Sequence, residues 1–225
     1  MDIKGFKINF LGDSITEGAG VKDIIHCRYD NRLKEMCQLS AVNNYGIGGT
    51  RLAHQVCPSG KPRHDLCFCG RVYNLDPDAD MVVVYGGVND YLHGDAPFGN
   101  LGDTTPATFC GGVYFLMNYL KENWGHKPVV FMTPARCYHE TETDDLAVSP
   151  HPNKQSDARV LLEYVNIIKQ TAAQFHFPVL DLYHDLGIDP HDPEHYTTYT
   201  ADGLHFNDAG HAILARRLQE FIAAL

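Results

Sequence analysis

Apolar positions fall along this chain in two kinds of block. Residues 81–85 and 129–132 are continuous apolar runs rich in β-branched side chains, the pattern of strands covered on both faces. Residues 8–11 form a mostly apolar first strand, 41–45 a weaker second and 178–182 a last one. Between them the apolar spacing becomes helical. Residues 28–39 place Leu33, Met36 and Cys37 on one side, and 108–123 carry apolar residues at 109, 113, 116, 117 and 120. Ser156 is positioned to cap a helix reaching Phe175, with Leu161, Tyr164, Val165, Ile168 and Ala172 on one face. A last helix, 207–224, presents Leu214, Leu218, Phe221 and Ile222. Strands alternating with helices predict an α/β fold, a mostly parallel sheet with helices on both sides. With no internal repeat and no linker, residues 1–225 read as one domain.

Three stretches, 52–80, 93–106 and 134–155, fit no regular element. Irregular segments of this length in a compact domain tend to be functional or disordered, and these follow the predicted strands as walls of a cleft.

Candidate chemistry sits beside the strand ends. Gly12-Asp13-Ser14 follows the first strand, Asn44 to Gly49 the second, and Gly86-Gly87-Val88-Asn89-Asp90 the third. Asp202-Gly203-Leu204-His205 precedes the last helix. In a parallel sheet the first three turns share one edge, where open α/β sheets bind their ligands. A serine hydroxyl needs a neighbouring base, for which His205 is the candidate, and a carboxylate three residues earlier, Asp202, can hold that ring in one tautomer. A tetrahedral oxyanion needs fixed donors, which the Ser14 and Gly49 N–H groups and the Asn89 amide could supply. Any one of these segments alone reads equally well as an ordinary turn or cap. Their joint occurrence in register with a sheet does not.

These blocks, with Ile15-Thr16-Glu17-Gly18 completing the first, resemble the SGNH hydrolases, the GDSL family of esterases and lipases. They come in the family's order and span residues 12 to 205. The resemblance implies a three-layer, flavodoxin-like α/β/α fold with five parallel strands. It implies Ser14 as nucleophile, His205 as base, Asp202 as its orienting acid, and Ser14, Gly49 and Asn89 as oxyanion donors. It also implies an acyl-enzyme, with no metal and no cofactor. An acyltransferase, a thioesterase or a long-chain lipase would use the same residues.

Other clusters carry weaker signals. His54, Cys57, His64, Cys67 and Cys69 suggest zinc, but Cys67-x-Cys69 is tighter than structural zinc sites use. Asp181, His184, Asp185, Asp189, His191, Asp192 and His195 could serve a metal-dependent hydrolase, although the prolines among them mark turns. Arg51, Arg71 and Arg136 border the cleft and could meet an anionic substrate or form structural ion pairs. His211, inside the last helix, reads as a packing or surface residue.

Composition narrows the classes. The net charge of −10 repels polyanions, which argues against nucleic acid and anionic membranes as partners. No apolar run approaches the roughly 18 residues needed to span a bilayer. The absence of a charged-then-apolar leader and the odd count of seven cysteines predict reduced thiols and a cytoplasmic protein. A carbohydrate-binding module that kept the fold without the chemistry would be expected to lack a catalytic residue, and none is missing. The three irregular stretches are polar, which suits a small acyl group on a polar alcohol such as a sugar. The expected substrate is therefore a short-chain, acetyl-type ester. Oligomeric state is not legible.

Overall fold

The computed structural model describes residues 1–141 and 154–225. Five parallel strands, β1 Lys7–Gly12, β2 Ala41–Gly46, β3 Met81–Tyr85, β4 Val129–Met132 and β5 Val179–Leu180, lie in the order β2-β1-β3-β4-β5. Helices fill the intervals. In chain order they are α1 Ser14–Glu17, α2 Ile24–Cys27, α3 Tyr29–Cys37, α4 Phe68–Arg71, α5 Val88–His93, α6 Phe109–Trp124, α7 Leu161–Phe175, α8 Leu182–Asp185, α9 Pro193–Tyr199 and α10 Asp208–Ala224.

The sheet separates two cores, because successive strand residues face opposite sides. Leu11, Val82, Val84, Val129 and Phe131 pack with α4, α6 and α7. Ile8, Phe10, Met81, Val83, Val130 and Met132 pack with α3 and α10. This is the three-layer α/β/α arrangement. Register sets the site: Gly12 is paired with Gly46 on one side and Tyr85 on the other, so β1, β2 and β3 end level.

Several elements depart from the sequence expectation. The last strand is two residues long, not 178–182, because the Asp181 side chain accepts the His184 N–H and starts α8. Helix α7 begins at Leu161 rather than after Ser156; the neighbouring Asp157 carboxylate instead holds the Phe98 and Gly99 N–H groups, each at 3.0 Å. Helix α3 buries Tyr29, Asp30 and Leu33, while Met36 is exposed. The 52–80 stretch is not structureless: it contains α4 and two 3-10 turns, Pro62–Asp65 and Val72–Asn74. Pro193 opens α9 at a helix's first position, where its missing N–H is no loss. The part of the 134–155 stretch covering 142–153 lies outside the described residues. Among the described residues, no helix is long and apolar enough to cross a membrane.

Candidate active site

The chain leaves β1 through a turn that only glycine permits. A Cβ at Gly12 would overlap the Thr16 side chain of α1. Asp13 caps α1, its carboxylate accepting the Ile15 N–H at 3.0 Å, and Ser14 is the first helical residue. Ser14 is 9% exposed, at the C-terminal edge of the sheet.

His205 reaches this hydroxyl from the far end of the chain. Its Nε2 lies 2.9 Å from Ser14 Oγ, across 191 residues of sequence. Its Nδ1 lies 2.7 Å from Asp202 Oδ2, while Asp202 Oδ1 accepts the backbone N–H groups of Leu204 and His205 at 3.0 and 2.8 Å. A carboxylate can only accept, so Nδ1 carries the proton and Nε2 is left to accept from the serine. Partial burial works to raise the Asp202 pKa, but the hydrogen bonds from the His205 ring and backbone outweigh it and hold the carboxyl below its usual range. The loop is closed by an antiparallel bridge between Thr200 and Phe206 and by the Gly203 N–H bonding Thr200 Oγ1 at 2.9 Å.

The opposite side of Ser14 is lined by donors. Gly49 has φ +75°, a conformation that favours glycine, and the edge of the His64 ring lies 2.5–2.7 Å from where a Cβ would sit. Among the described residues no acceptor meets the N–H of Gly49 or of Ser14. The glycine turn is pinned by Glu17, whose carboxylate accepts the Gly48 N–H at 2.7 Å and an Arg63 guanidinium N–H.

Asn89, 4% exposed, stands one residue into α5. Its Nδ2 donates to Thr50 O at 3.1 Å and, more weakly, to Asp13 Oδ2 at 3.4 Å. Its Oδ1 lies 2.9 Å from His93 Nε2, one helical turn away. Since Oδ1 can only accept, His93 Nε2 donates, and its Nδ1 is left to accept from Arg51 Nη1 at 3.4 Å. The amide orientation is thereby set by a chain running from Arg51 through His93.

Two carboxylates beneath this edge are fully buried. Burial pushes Asp13 up to about 6, against the pull of the Ile15 N–H, His205 and Arg71. Burial likewise pushes Asp90 up to about 6, opposed by the Leu52 and Ala53 N–H groups that it accepts at 2.8 and 3.1 Å.

The remaining candidates fall elsewhere. Arg71 is structural: it donates to Tyr45 O, Gly12 O, Leu66 O and Thr50 Oγ1, tying β1 and β2 to the 52–80 stretch. Arg51 pairs with Asp65 at 3.3 Å, and Arg136 with Glu140 at 2.9 Å. Burial raises the thiols of Cys67 and Cys69, which disfavours the thiolate that a metal needs. Asp181 pairs with Lys169 and His184, and Asp189 with His191. Among the described residues no three His, Cys, Asp or Glu side chains gather as a metal site. His211 is fully buried and accepts the Tyr29 N–H at 3.2 Å; burial drives its pKa down to about 3, so it packs as a neutral ring. Sequence reasoning does not single out Glu17, His64 or His93 for these positions. Only His93 carries a signal, its four-residue spacing from Asn89.

The model of the GDSL-like lipase/acylhydrolase family matches residues 10–213. Among solved structures, a protein from Lactobacillus plantarum is 29% identical, with a TM-score of 0.80 over 99% of this chain and 98% of its own. An acetyl xylan esterase is 23% identical, with a TM-score of 0.63 over 95% and 98% of the two chains. A variant of an acetyl-xylooligosaccharide esterase from Geobacillus is 22% identical, with a TM-score of 0.62 over 99% and 96%. Curated proteins offer no match.

Proposed function

The chain belongs to the GDSL-like lipase/acylhydrolase family, and we propose that it works there as a serine esterase on short acyl esters of a polar alcohol. The observation that carries this reading is the Ser14–His205–Asp202 hydrogen-bond chain, with the backbone N–H groups of Ser14 and of Gly49, in the adjoining glycine turn, left unengaged among the described residues. Ser14 Oγ attacks the ester carbonyl carbon while His205 Nε2 takes the hydroxyl proton, and Asp202 stabilises the imidazolium. The carbonyl oxygen becomes an oxyanion held by the Ser14 and Gly49 N–H groups and by the Asn89 amide, once Nδ2 turns from its internal acceptors. The C–O bond to the alcohol then breaks, and His205 returns the proton to the departing oxygen. Water enters and bonds to the acyl carbon while His205 takes its proton; the bond from that carbon to Ser14 Oγ then breaks, His205 returns the proton to Oγ, and the free acid leaves. Side chains of this protein account for every proton, so no metal is required.

The side chains of Arg51, Gln55, Lys61 and His93, set around the cavity beside the glycine turn, support a hydrophilic alcohol and a small acyl group, acetyl foremost. Two of the structural neighbours are named as esterases of acetylated xylan or xylo-oligosaccharides, which agrees with a carbohydrate alcohol. Labelling with a fluorophosphonate followed by peptide mass mapping tests the nucleophile: the adduct is expected on Ser14, and an adduct elsewhere would overturn the assignment. Comparing kcat/KM for 4-nitrophenyl acetate and octanoate tests the acyl preference. A clear preference for octanoate would overturn that part while leaving the serine chemistry standing.

A further inference from the structure

A cavity of about 670 Å³ opens beside the glycine turn, large enough for a sugar-sized ligand. Its wall includes Arg51, Lys61, His64, His93, Gln55 and Asp95. Three of these touch the donor side of Ser14. The His64 ring lies over Gly49, His93 Nε2 bonds Asn89 Oδ1, and Arg51 Nη1 donates to Gly49 O at 3.2 Å. A substrate whose carbonyl oxygen meets Gly49 and Asn89 therefore has this cavity at hand for a neighbouring group.

The carboxylates at and behind the wall are committed. Asp95 is already engaged, accepting the Val56 and Cys57 N–H groups at 2.8 Å each. Asp65, behind Arg51, accepts the Ser59 N–H at 2.9 Å and the Arg51 Nη2 at 3.3 Å. The cations are matched less completely: among the described residues Arg51 has Asp65 at Nη2 and Gly49 O at Nη1, but nothing at Nε. Arg51 is 3% exposed, yet its Nε–H has no partner, an arrangement that buried donors normally avoid. Lys61 engages Ser59 only through its backbone, and its ammonium has no partner among the described residues. In a chain of net charge −10, a cleft wall that presents the unpaired Lys61 ammonium beside an Arg51 with a spare Nε–H runs against the general trend. Such a wall suits an acceptor-only, negatively charged group, and guanidinium and ammonium both bind carboxylate well.

We infer that the cavity receives a carboxylate carried by the ester substrate, so that the enzyme selects acidic esters over neutral ones. This rests on the esterase reading above and adds a charge requirement to it. The carboxylate could belong to the alcohol half or to the acyl half, and two substrate pairs separate these: acetylated glucuronic acid against acetylated glucose, and 4-nitrophenyl hydrogen succinate against 4-nitrophenyl butyrate. In at least one pair the acidic member is expected to show about tenfold higher kcat/KM at low ionic strength, as one added charge contact of about 1.4 kcal/mol would give. Lys61→Glu should abolish that preference, lowering kcat/KM for the acidic member far more than for its neutral counterpart. A wild-type ratio at or below one in both pairs would overturn the inference, as would a preference that Lys61→Glu leaves intact. Hydrolysis of 4-nitrophenyl acetate reports the esterase reading separately. If no ester is turned over, calorimetric titration of the protein with free glucuronate and with glucose still decides. Tighter binding of glucuronate, lost in Lys61→Glu, supports the inference, and equal binding overturns it.

Discussion

The two sides of Ser14 are built differently. The base side is a loop: His205 and Asp202 have side chains 22% and 53% exposed, held by their mutual hydrogen bond and by backbone contacts within 200–206. The donor side is interior: Asn89 and Asp13 are buried under three level strand ends, and the glycine turn is tied down by Glu17, Arg51 and His64. The difference follows the chemistry each side would perform. A base that shuttles protons needs one correct tautomer and contact with water, and short local hydrogen bonds provide both. Donors for a developing charge act best when they need not reorganise as it forms; the backbone fixes the Ser14 and Gly49 N–H groups in that way, whereas the Asn89 amide must first leave Thr50 O.

The comparison is broken most sharply at its centre. Ser14→Ala or His205→Ala should each lower kcat by ~10⁴- to 10⁶-fold, with an unchanged urea midpoint, since neither side chain supports the core. Asp202→Ala should be milder by at least ~10-fold, because an exposed carboxylate orients the ring but does not react. Retention of a tenth of wild-type turnover by Ser14→Ala would remove the serine from the mechanism.

On the donor side, Asn89→Ala should cost ~10²- to 10³-fold in kcat with little change in KM, or roughly 3–4 kcal/mol of transition-state stabilisation. A raised KM at normal kcat would make Asn89 a ground-state contact instead. His93 acts one step further back. Its replacement by alanine should lower kcat ~10-fold at constant KM, a typical penalty for losing a residue that orients a reacting group, and His93→Gln should recover most of it by donating to the same Oδ1. Loss of folding without a kcat effect would make His93 a packing residue only.

The smallest expected effect is on stability. Asp13 is pushed up to about 6 in the folded protein, against an ordinary value near 3.8. A carboxyl raised on folding destabilises the native state as pH rises from about 4 to about 6, where the unfolded chain releases its proton first. Below that window the Asp13 contribution vanishes, and above it the penalty is constant. Asp13→Asn should therefore gain stability relative to wild type on going from pH 4 to pH 7, read as the difference in urea midpoints. Asp90 carries the same sign and His211 the opposite one, so only the difference between the two proteins isolates Asp13. A difference independent of pH would show that Asp13 is not protonated near pH 6.

How much of this is legible in the sequence depends on where the information lies. The β-branched runs at 81–85 and 129–132 fit only buried strands, and the turns after parallel strands must share an edge. That is why sequence alone suffices to place Ser14, Gly49 and Asn89 together. Asp202 and His205 are legible as a pair because three residues separate them, but their contact with Ser14 depends on how the loop before α10 folds back. The apolar pattern overstates the fifth strand because residues 179–182 stay largely apolar around Asp181, whose cap to His184 is a side-chain event with no apolar signature. His64 and Glu17 are not legible as site residues. His64 reaches Gly49 through the packing of a 3-10 turn, and Glu17 is only the tail of a motif in the sequence, its bond to the Gly48 N–H being a product of the fold. Arg51 and Arg71 each admit two readings from the sequence. Arg71 is buried against four acceptors that come from separate segments, a geometry that no local pattern announces.

The 191-residue separation of Ser14 and His205 also bears on how the protein comes into being. Synthesis delivers Ser14 with the first strand, while its hydrogen-bond partner arrives only with the segment that leads into α10, which packs on α3. At typical ribosomal speeds of about 5–20 residues per second, the nascent chain spends on the order of ten seconds or more holding a serine without a base. Fragments released early would carry the first three blocks and have no turnover. Hydrolysis would therefore switch on only when the two ends of the sequence have met, which makes appearance of activity during refolding a direct clock for docking of the last helix.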